Sequence, residues 1–391
     1  RVTDDALWVA DLSIISTSLF RAQKIGEDTE LVAAARYGTL GYIVEGISSD
    51  AILRYWDYQT RVSHRLKNGA LFKLTLIGVG DVAGERDSND GSEDVVRVGF
   101  HRADLRYRQV LGKAWLQAGV QGGYDYFAPP ADDGGPTSAV TEWIARPYFE
   151  VGYTFSPRLE TSLGGDLFYQ DFGLGFLNDP SGVLFRSPDA GVTMGLWAQT
   201  EWTYKKLTVT PSARVDDYRW GPTRATSFDP RVSVAYAIHK SLTAKASAGV
   251  FHGPPRFSFA EPPIVFGPVP AFDGLGLEHG LNRSLQYQAS VEATLPGDLQ
   301  ATLTGFTHDN SYALDFSLIG QDLSVTGANP CAEPPPPELY APLHLRGRAR
   351  GAELLVRRRL GQSVFGWLSY AMSQSDRTVA GVGTFPFDFD Q

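Results

Sequence analysis

The sequence predicts an all-β chain, a transmembrane antiparallel up-and-down β-barrel of about sixteen strands. Three observations predict it. Long segments alternate apolar and polar residues with a period of two, and tight turns alternate with long loops. In addition, no apolar run approaches the ~18 residues that a membrane helix needs.

Residues 283–308 show the pattern most clearly. Leu285, Tyr287, Ala289, Val291, Ala293 and Leu295 alternate with Ser284, Gln286, Gln288, Ser290, Glu292 and Thr294. After the turn residues Pro296-Gly297-Asp298, Leu299, Ala301, Leu303 and Gly305 alternate with Gln300, Thr302 and Thr304. A period of two puts one set on each face, so these are strands joined as a hairpin. They are longer than the usual soluble strand of about 5–6 residues. One face is aliphatic and small, the other rich in Ser, Thr, Gln and Glu, as expected of a strand with lipid on one side and water on the other.

In chain order, Ala10 to Phe20 reads as a first strand, and Gly26-Glu27-Asp28 turns it into Leu31, Ala33, Ala35 and Tyr37. A strand from Leu53 to Leu66 follows, and Asn68-Gly69 is a strong hairpin signal leading to Phe72, Leu74, Leu76 and Gly78. Residues 81–94 are polar and read as a loop. The next pair turns at Leu111-Gly112-Lys113. Its first strand slips phase near His101, from Val96, Val98 and Phe100 to Ala103, Leu105 and Tyr107, as a bulge or a misplaced boundary would produce. Trp143, Phe149, Val151, Tyr153 and Phe155 form one row of the following strand, which turns at Ser156-Pro157-Arg158 into Leu159, Leu163 and Leu167. Val192 to Tyr204, Leu207 to Val215, Val232 to Ile238 and Leu242 to Val250 continue the alternation. The last pair contains Leu354 and Leu368 and turns at Gly361-Gln362.

Tight connections near 26, 68, 112, 157, 205, 240, 297 and 361 are expected to alternate with long ones near 81–94, 128–141, 174–190, 253–282 and 314–345. Short turns on one rim and long loops on the other are the outer-membrane pattern. Loops above about 12–15 residues are uncommon inside compact soluble domains. Tyr126, Tyr153, Trp202, Tyr204 and Tyr236 stand near strand ends, where interfacial aromatic girdles belong.

Composition narrows the function classes. The 391 residues carry a net charge of −9, which argues against a nucleic-acid partner. Hydrophobic content is 43%, aromatic content 12%, and there are 41 glycines, which fits a β-rich chain with many turns. Mean hydropathy is −0.17, which alternation explains without excluding a membrane. The single cysteine, Cys331, permits no internal disulfide. H-E-x-x-H, C-x-x-C, P-loop and G-x-S-x-G signatures are missing, and the seven histidines lack metal-ligand spacing, so neither an enzyme nor a cofactor is expected. Residues 87–94, D-S-N-D-G-S-E-D, have the acidic character of a calcium loop but lack its position-twelve Glu.

Several stretches resemble the β-barrel domain of TonB-dependent outer-membrane receptors. They are F-D-P-R-V-S-V-A-Y (228–236) running into L-T-A-K-A-S-A-G-V-F-H-G-P-P (242–255), R-S-L-Q-Y-Q-A-S-V-E, R-G-A-E-L-L-V-R-R-R-L with F-G-W-L-S-Y-A-M-S-Q-S, and the terminal F-P-F-D-F-D-Q. The resemblance implies uptake of a scarce extracellular ligand (siderophore, vitamin, oligosaccharide or peptide) through the outer membrane of a Gram-negative bacterium, with energy supplied by the TonB complex. It also implies a plug domain and about 22 strands. Strands begin almost at once and number about sixteen, so residues 1–391 are expected to be a partial barrel domain without its plug.

Candidate site residues fall into three groups. Arg146, Glu150, Asp166, Glu201, Arg214 and Asp216 lie in the polar rows and would face the lumen as a charged wall against a plug or a ligand. Arg346, Arg348 and Arg350 open an arginine-rich hairpin. They would serve as rim and lumen charges balanced by neighbours such as Glu353, or meet an anionic ligand or lipopolysaccharide phosphates. The loop 252–272 is rich in Pro and Phe, and Arg256, Phe257, Phe259, Phe266 and Phe272 are its candidate ligand contacts. Those rings would otherwise pack among the loops. Two other functions fit the pattern: a complete sixteen-stranded porin-like passive channel, and a soluble all-β carbohydrate enzyme. The enzyme would need inward apolar rows and a carboxylate pair.

Overall fold

The computed structural model describes residues 6–86, 93–128, 138–176, 179–186, 190–258, 271–273, 277, 280–312, 345–358, 365–379 and 383–386. Its strands form one antiparallel sheet of nineteen and a separate pair. The chain divides into two compact units.

The first unit comprises Arg1–Val151, Gly164–Met194 and Ser258–Phe272. It opens with β1 (Leu7–Leu12), β2 (Ser16–Ile25), β3 (Thr29–Gly38), the helix α1 (Leu40–Ile47), β4 (Ala51–Arg65), β5 (Leu71–Arg86), β6 (Glu93–Leu111) and β7 (Ala114–Ala128). Each of these strands pairs antiparallel with the next. The registers line up Leu31, Val62, Leu74, Leu105 and Val120 as one apolar row across β3 to β7. β8 (Ser138–Ser156), β9 (Leu159–Phe176), β10 (Asp179–Arg186) and β11 (Gly191–Tyr204) follow, and the short-turn ends of β8, β9 and β11 belong to the second unit.

The second unit comprises Gly152–Leu163, Gly195–Phe257 and Asp273–Gln391. It carries β12 (Leu207–Trp220), β13 (Thr223–His239) and β14 (Leu242–Gly253). The chain then passes through the separate pair, β15 (Arg256–Ser258) and β16 (Ala271–Asp273). β17 (Asn282–Leu295), β18 (Leu299–Tyr312), β19 (Leu345–Arg358), β20 (Gly366–Val379) and β21 (Gly383–Pro386) complete it. Here Leu207, Tyr236, Ala244, Val291, Leu303, Leu354 and Tyr370 form one row over seven strands.

These apolar rows are the exposed ones. Leu303 is 56% exposed, Tyr236 47% and Leu105 45%, whereas Asp125, Glu142, Asp216 and Asp229 are buried. A water-soluble fold buries its aliphatics and shows its charges, so this distribution is inside out. It is the inverse of the inward apolar rows that a soluble carbohydrate enzyme would need.

Several expectations require correction. Ala10 to Phe20 is not one strand: Ser13 folds back, donating its N–H to the Ser16 carbonyl, and splits it into β1 and β2. Residues 81–94 are not all loop, because β5 and β6 stay paired as far as Arg86 opposite Glu93. No bulge lies at His101, since β6 keeps an unbroken register with both neighbours. The polarity of the faces inverts there instead. Val98 is buried on the otherwise polar face, while His101 and Gly99 occupy the other. Tight turns and long loops do not alternate strictly either. β12 and β13 join through Gly221 (φ +53) on the long-loop rim, as do β1 and β2 through 13–15. Splitting the first strand and adding β10 and β21 raises about sixteen strands to nineteen in the sheet among the described residues. The turn at Gly361-Gln362 lies outside the described residues.

Aromatic rings on the apolar face are seated over glycines. A Cβ at Gly78 would lie 2.4 Å from the Tyr58 ring, and one at Gly80 2.7 Å from Trp56. The two rings stack at 6.1 Å, and the Tyr58 hydroxyl meets His101 Nδ1 at 3.0 Å. Of the five rings expected in an interfacial girdle, Tyr153, Trp202, Tyr204 and Tyr236 are exposed and Tyr126 is half-buried.

α1 was not anticipated. Its sequence, LGYIVEGI, holds two glycines and three β-branched residues, and Thr39 gives it no side-chain cap. Packing on β4 holds it, and Gly41 makes that packing possible: a Cβ there would sit 1.8 Å from the Leu53 carbonyl oxygen. Gly41→Ala is therefore expected to destabilise the docked helix by about 1–3 kcal/mol, the cost of overpacking. Hydrogen exchange should show faster opening across 40–47 and unchanged protection in β5 to β7.

Candidate functional site

Strand alternation places a second set of residues on the polar face, and they are joined in charged pairs. In the first unit Arg102 forks onto Asp125, with Nη2 donating to Oδ2 at 2.7 Å. Arg106 donates to the Tyr148 hydroxyl through Nε and to Asp104 through Nη2, both at 2.9 Å. Gln121 donates to the same Asp104 carboxylate at 3.2 Å. Arg146 Nε donates to Asp166 Oδ2 at 2.8 Å, and Gln170 donates to Glu142. In the second unit Arg214 Nη2 meets Asp216 at 2.6 Å and lies over the Trp197 ring.

Of the six residues expected on the polar face, four therefore form two ion pairs, Arg146 with Asp166 and Arg214 with Asp216. Glu150 and Glu201 stand apart, with no ion-pair partner among the described residues. Charge-assisted bonds fix the guanidinium planes against their carboxylates. The result is a strongly polar face on which every named arginine is matched by a carboxylate.

Where β14 approaches its long loop it parts from β13, their pairing ending at Arg231 opposite Gly249. Asp229 fills the opening. Its carboxylate accepts the His252 N–H at 3.2 Å and meets His252 Nδ1 at 2.6 Å. Tyr218 donates its hydroxyl to the His252 carbonyl at 3.2 Å. This buried cluster anchors the start of the Phe-rich loop. Arg256 and Phe257 lie on β15 and Phe272 on β16, so both ends of that loop are strands, while Phe259 and Phe266 lie outside the described residues.

Arg346, Arg348 and Arg350 have the parity of Ala352, Leu354 and Val356, so they continue the apolar face toward the long-loop rim. Glu353 falls on the opposite face with Arg357. Their partners are Asp309, bonded to Arg348 Nε at 2.7 Å, and Gln374, bonded to Arg350 at 2.9 Å. Cys331 and residues 87–92 lie outside the described residues, among which no group of three metal-ligating side chains occurs.

Sequence reasoning passed over Arg102, Asp104, Arg106 and Asp125, although charges at 102, 104, 106 and 108 already recur with the strand period. Arg283 was overlooked although it precedes Leu285 by two. Asp229 and His252 carry no pattern that would have found them, since only the parting of two strands joins them.

A family model described as TonB dependent receptor-like, beta-barrel matches residues 37–388. No curated protein matches the sequence. Solved structures with a similar fold include the FrpB iron transporter of Neisseria meningitidis (F3-3 variant), at a TM-score of 0.62 and 13% identity over 93% of this chain and 59% of that one. The alcaligin outer-membrane receptor FauA of Bordetella pertussis gives 0.60 and 14%, over 98% and 61%. A mutant of the ferric enterobactin receptor PfeA of Pseudomonas aeruginosa gives 0.56 and 12%, over 93% and 70%. The chain thus spans about three-fifths of the length of FrpB and FauA. With an up-and-down sheet whose greasy rows are exposed and a family match over most of its length, the chain belongs to the β-barrel family of TonB-dependent receptors, proteins of the Gram-negative outer membrane.

Proposed function

We propose that this chain forms the barrel wall of an active transporter that takes up a scarce iron(III) chelate of the siderophore class. Energy would reach it through TonB acting on a plug. The observation that carries the reading is the pairing of an exposed apolar face with a buried, charge-paired polar face, which suits a water-filled passage through lipid. The similar structures named above, an iron transporter and two receptors named for alcaligin and ferric enterobactin, favour iron chelates over vitamins, sugars or peptides. Ligand capture is assigned to the loop between β14 and β17, whose rings would lie against an apolar or aromatic chelator.

Radiolabelled ferric-chelate uptake by iron-starved cells carrying the full receptor tests this. Uptake should fall to background when TonB is deleted or the proton gradient is collapsed. A passive porin-like pore would keep it. In the same cells, Phe257→Ala combined with Phe272→Ala is expected to raise the half-saturating ligand concentration by about tenfold, equivalent to ~1.4 kcal/mol. The amount of folded receptor should not change. Unaltered half-saturation would move ligand capture elsewhere.

A further inference from the structure

The long-loop end of the second unit carries a cleft on its apolar face, the face that the membrane reading above turns toward lipid. The registers bring Arg283 opposite Ser311, Ser311 opposite Arg346, Asp309 opposite Arg348, and Arg348 opposite Asp376. Together with Thr378 these groups line a cleft of about 500 Å³. Asp309 is taken by Arg348 at 2.7 Å. Arg283 and Arg346 are exposed and have no ion-pair partner among the described residues. Three guanidinium groups therefore meet two carboxylates, and Arg350 lies one step further along the same row.

The surface changes character within a few residues toward the short-turn rim. A second depression of about 540 Å³ lies on the same face, floored by Ala246, Ala248, Ala289 and Gly305 beside Val232 and Tyr287. Along β18 the separation from Asp309 to Gly305 is four residues, or ~13 Å at ~3.3 Å per residue. A basic cleft above an apolar hollow on a lipid-facing wall has the polarity of a single amphiphile with an anionic head.

We propose that this face binds one phosphorylated, acylated glycolipid of the outer leaflet. Arg283 and Arg346 would grip a phosphate, and an acyl chain would lie in the Ala/Gly hollow. Guanidinium groups suit that role, since they are always charged and bond phosphate oxygens two at a time. The proposal rests on the membrane placement of the barrel but not on what it transports, so failed chelate uptake would leave it standing.

The full-length receptor, delipidated in detergent, can be titrated with bis-phosphorylated lipid A, with the same lipid stripped of its phosphates, and with inorganic phosphate as competitor. Expected are binding of the phosphorylated lipid, roughly tenfold or greater weakening on phosphate removal, and little displacement by millimolar inorganic phosphate. Arg283→Gln combined with Arg346→Gln should weaken binding by a similar factor. Arg357→Gln, on the opposite face, should leave it unchanged. Equal affinity for the two lipids would overturn the proposal, and because that comparison needs only the native protein it does not depend on any variant folding. Full displacement by inorganic phosphate would overturn it too, as the mark of a free-phosphate site.

Discussion

Leu303→Arg is expected to destabilise the barrel by about 2–4 kcal/mol in lipid vesicles, the cost of a guanidinium facing the bilayer near its midplane. Thr302→Arg, one residue earlier, should change stability by no more than about 0.5 kcal/mol. The contrast follows from parity. Leu303 is exposed in a row with Val291 and Leu354, and nothing polar lies directly across from it. Thr302 stands opposite Glu292, so an arginine introduced there points into water and meets a carboxylate. Denaturant unfolding of the two variants from vesicles measures the difference directly. Equal effects would mean that the two faces see the same solvent, and the lipid-facing assignment would fail.

The same parity explains what the sequence could reveal. Every strand from β3 onward that alternates cleanly could be read, because a period of two is local and one residue of slip would reverse all its faces. Parity also fixed the face of Arg346, Arg348 and Arg350, and it separates them from Glu353, so their expected balance by Glu353 was open to correction from residue numbers alone. Other features depend on distant contacts. α1 exists against its own propensities because Gly41 fits against the Leu53 carbonyl. The change of phase near His101 looked like a defect because the faces invert there, with Val98 buried on one and rings seated over glycine on the other. The Asp229–His252 contact exists only because two neighbouring strands part. Pairwise charge contacts such as Arg102 with Asp125 fall between these cases. Alternation gives their face, and the cross-strand register chooses the partner.

That choice of partner has an energetic consequence that distance alone does not show. Arg102–Asp125 and Lys245–Glu292 both include contacts of 2.7 Å, yet they differ in burial. The Asp125 side chain is 7% exposed and that of Arg102 30%, whereas Lys245 and Glu292 are each 44% exposed. Asp125→Ala should therefore strand a largely desolvated guanidinium. It would retain its hydrogen bonds to the carbonyls of His101, at 3.0 Å, and Tyr124, at 3.5 Å, and its place over the Phe100 ring. A stranded polar group costs about 1–3 kcal/mol and a broken, fully buried pair about 3–5 kcal/mol. Partial access of Arg102 to water sets the expected loss between them, near 3 kcal/mol. Glu292→Ala leaves a lysine that water solvates freely, and its expected loss is below about 1 kcal/mol. Salt separates the two further, because the exposed pair is screened and the buried one is not. Unfolding of both variants at low and high ionic strength checks this. If Asp125→Ala costs no more than Glu292→Ala, water reaches the Arg102 pair freely, and the polar wall contributes hydration to the passage and little to the strength of the sheet.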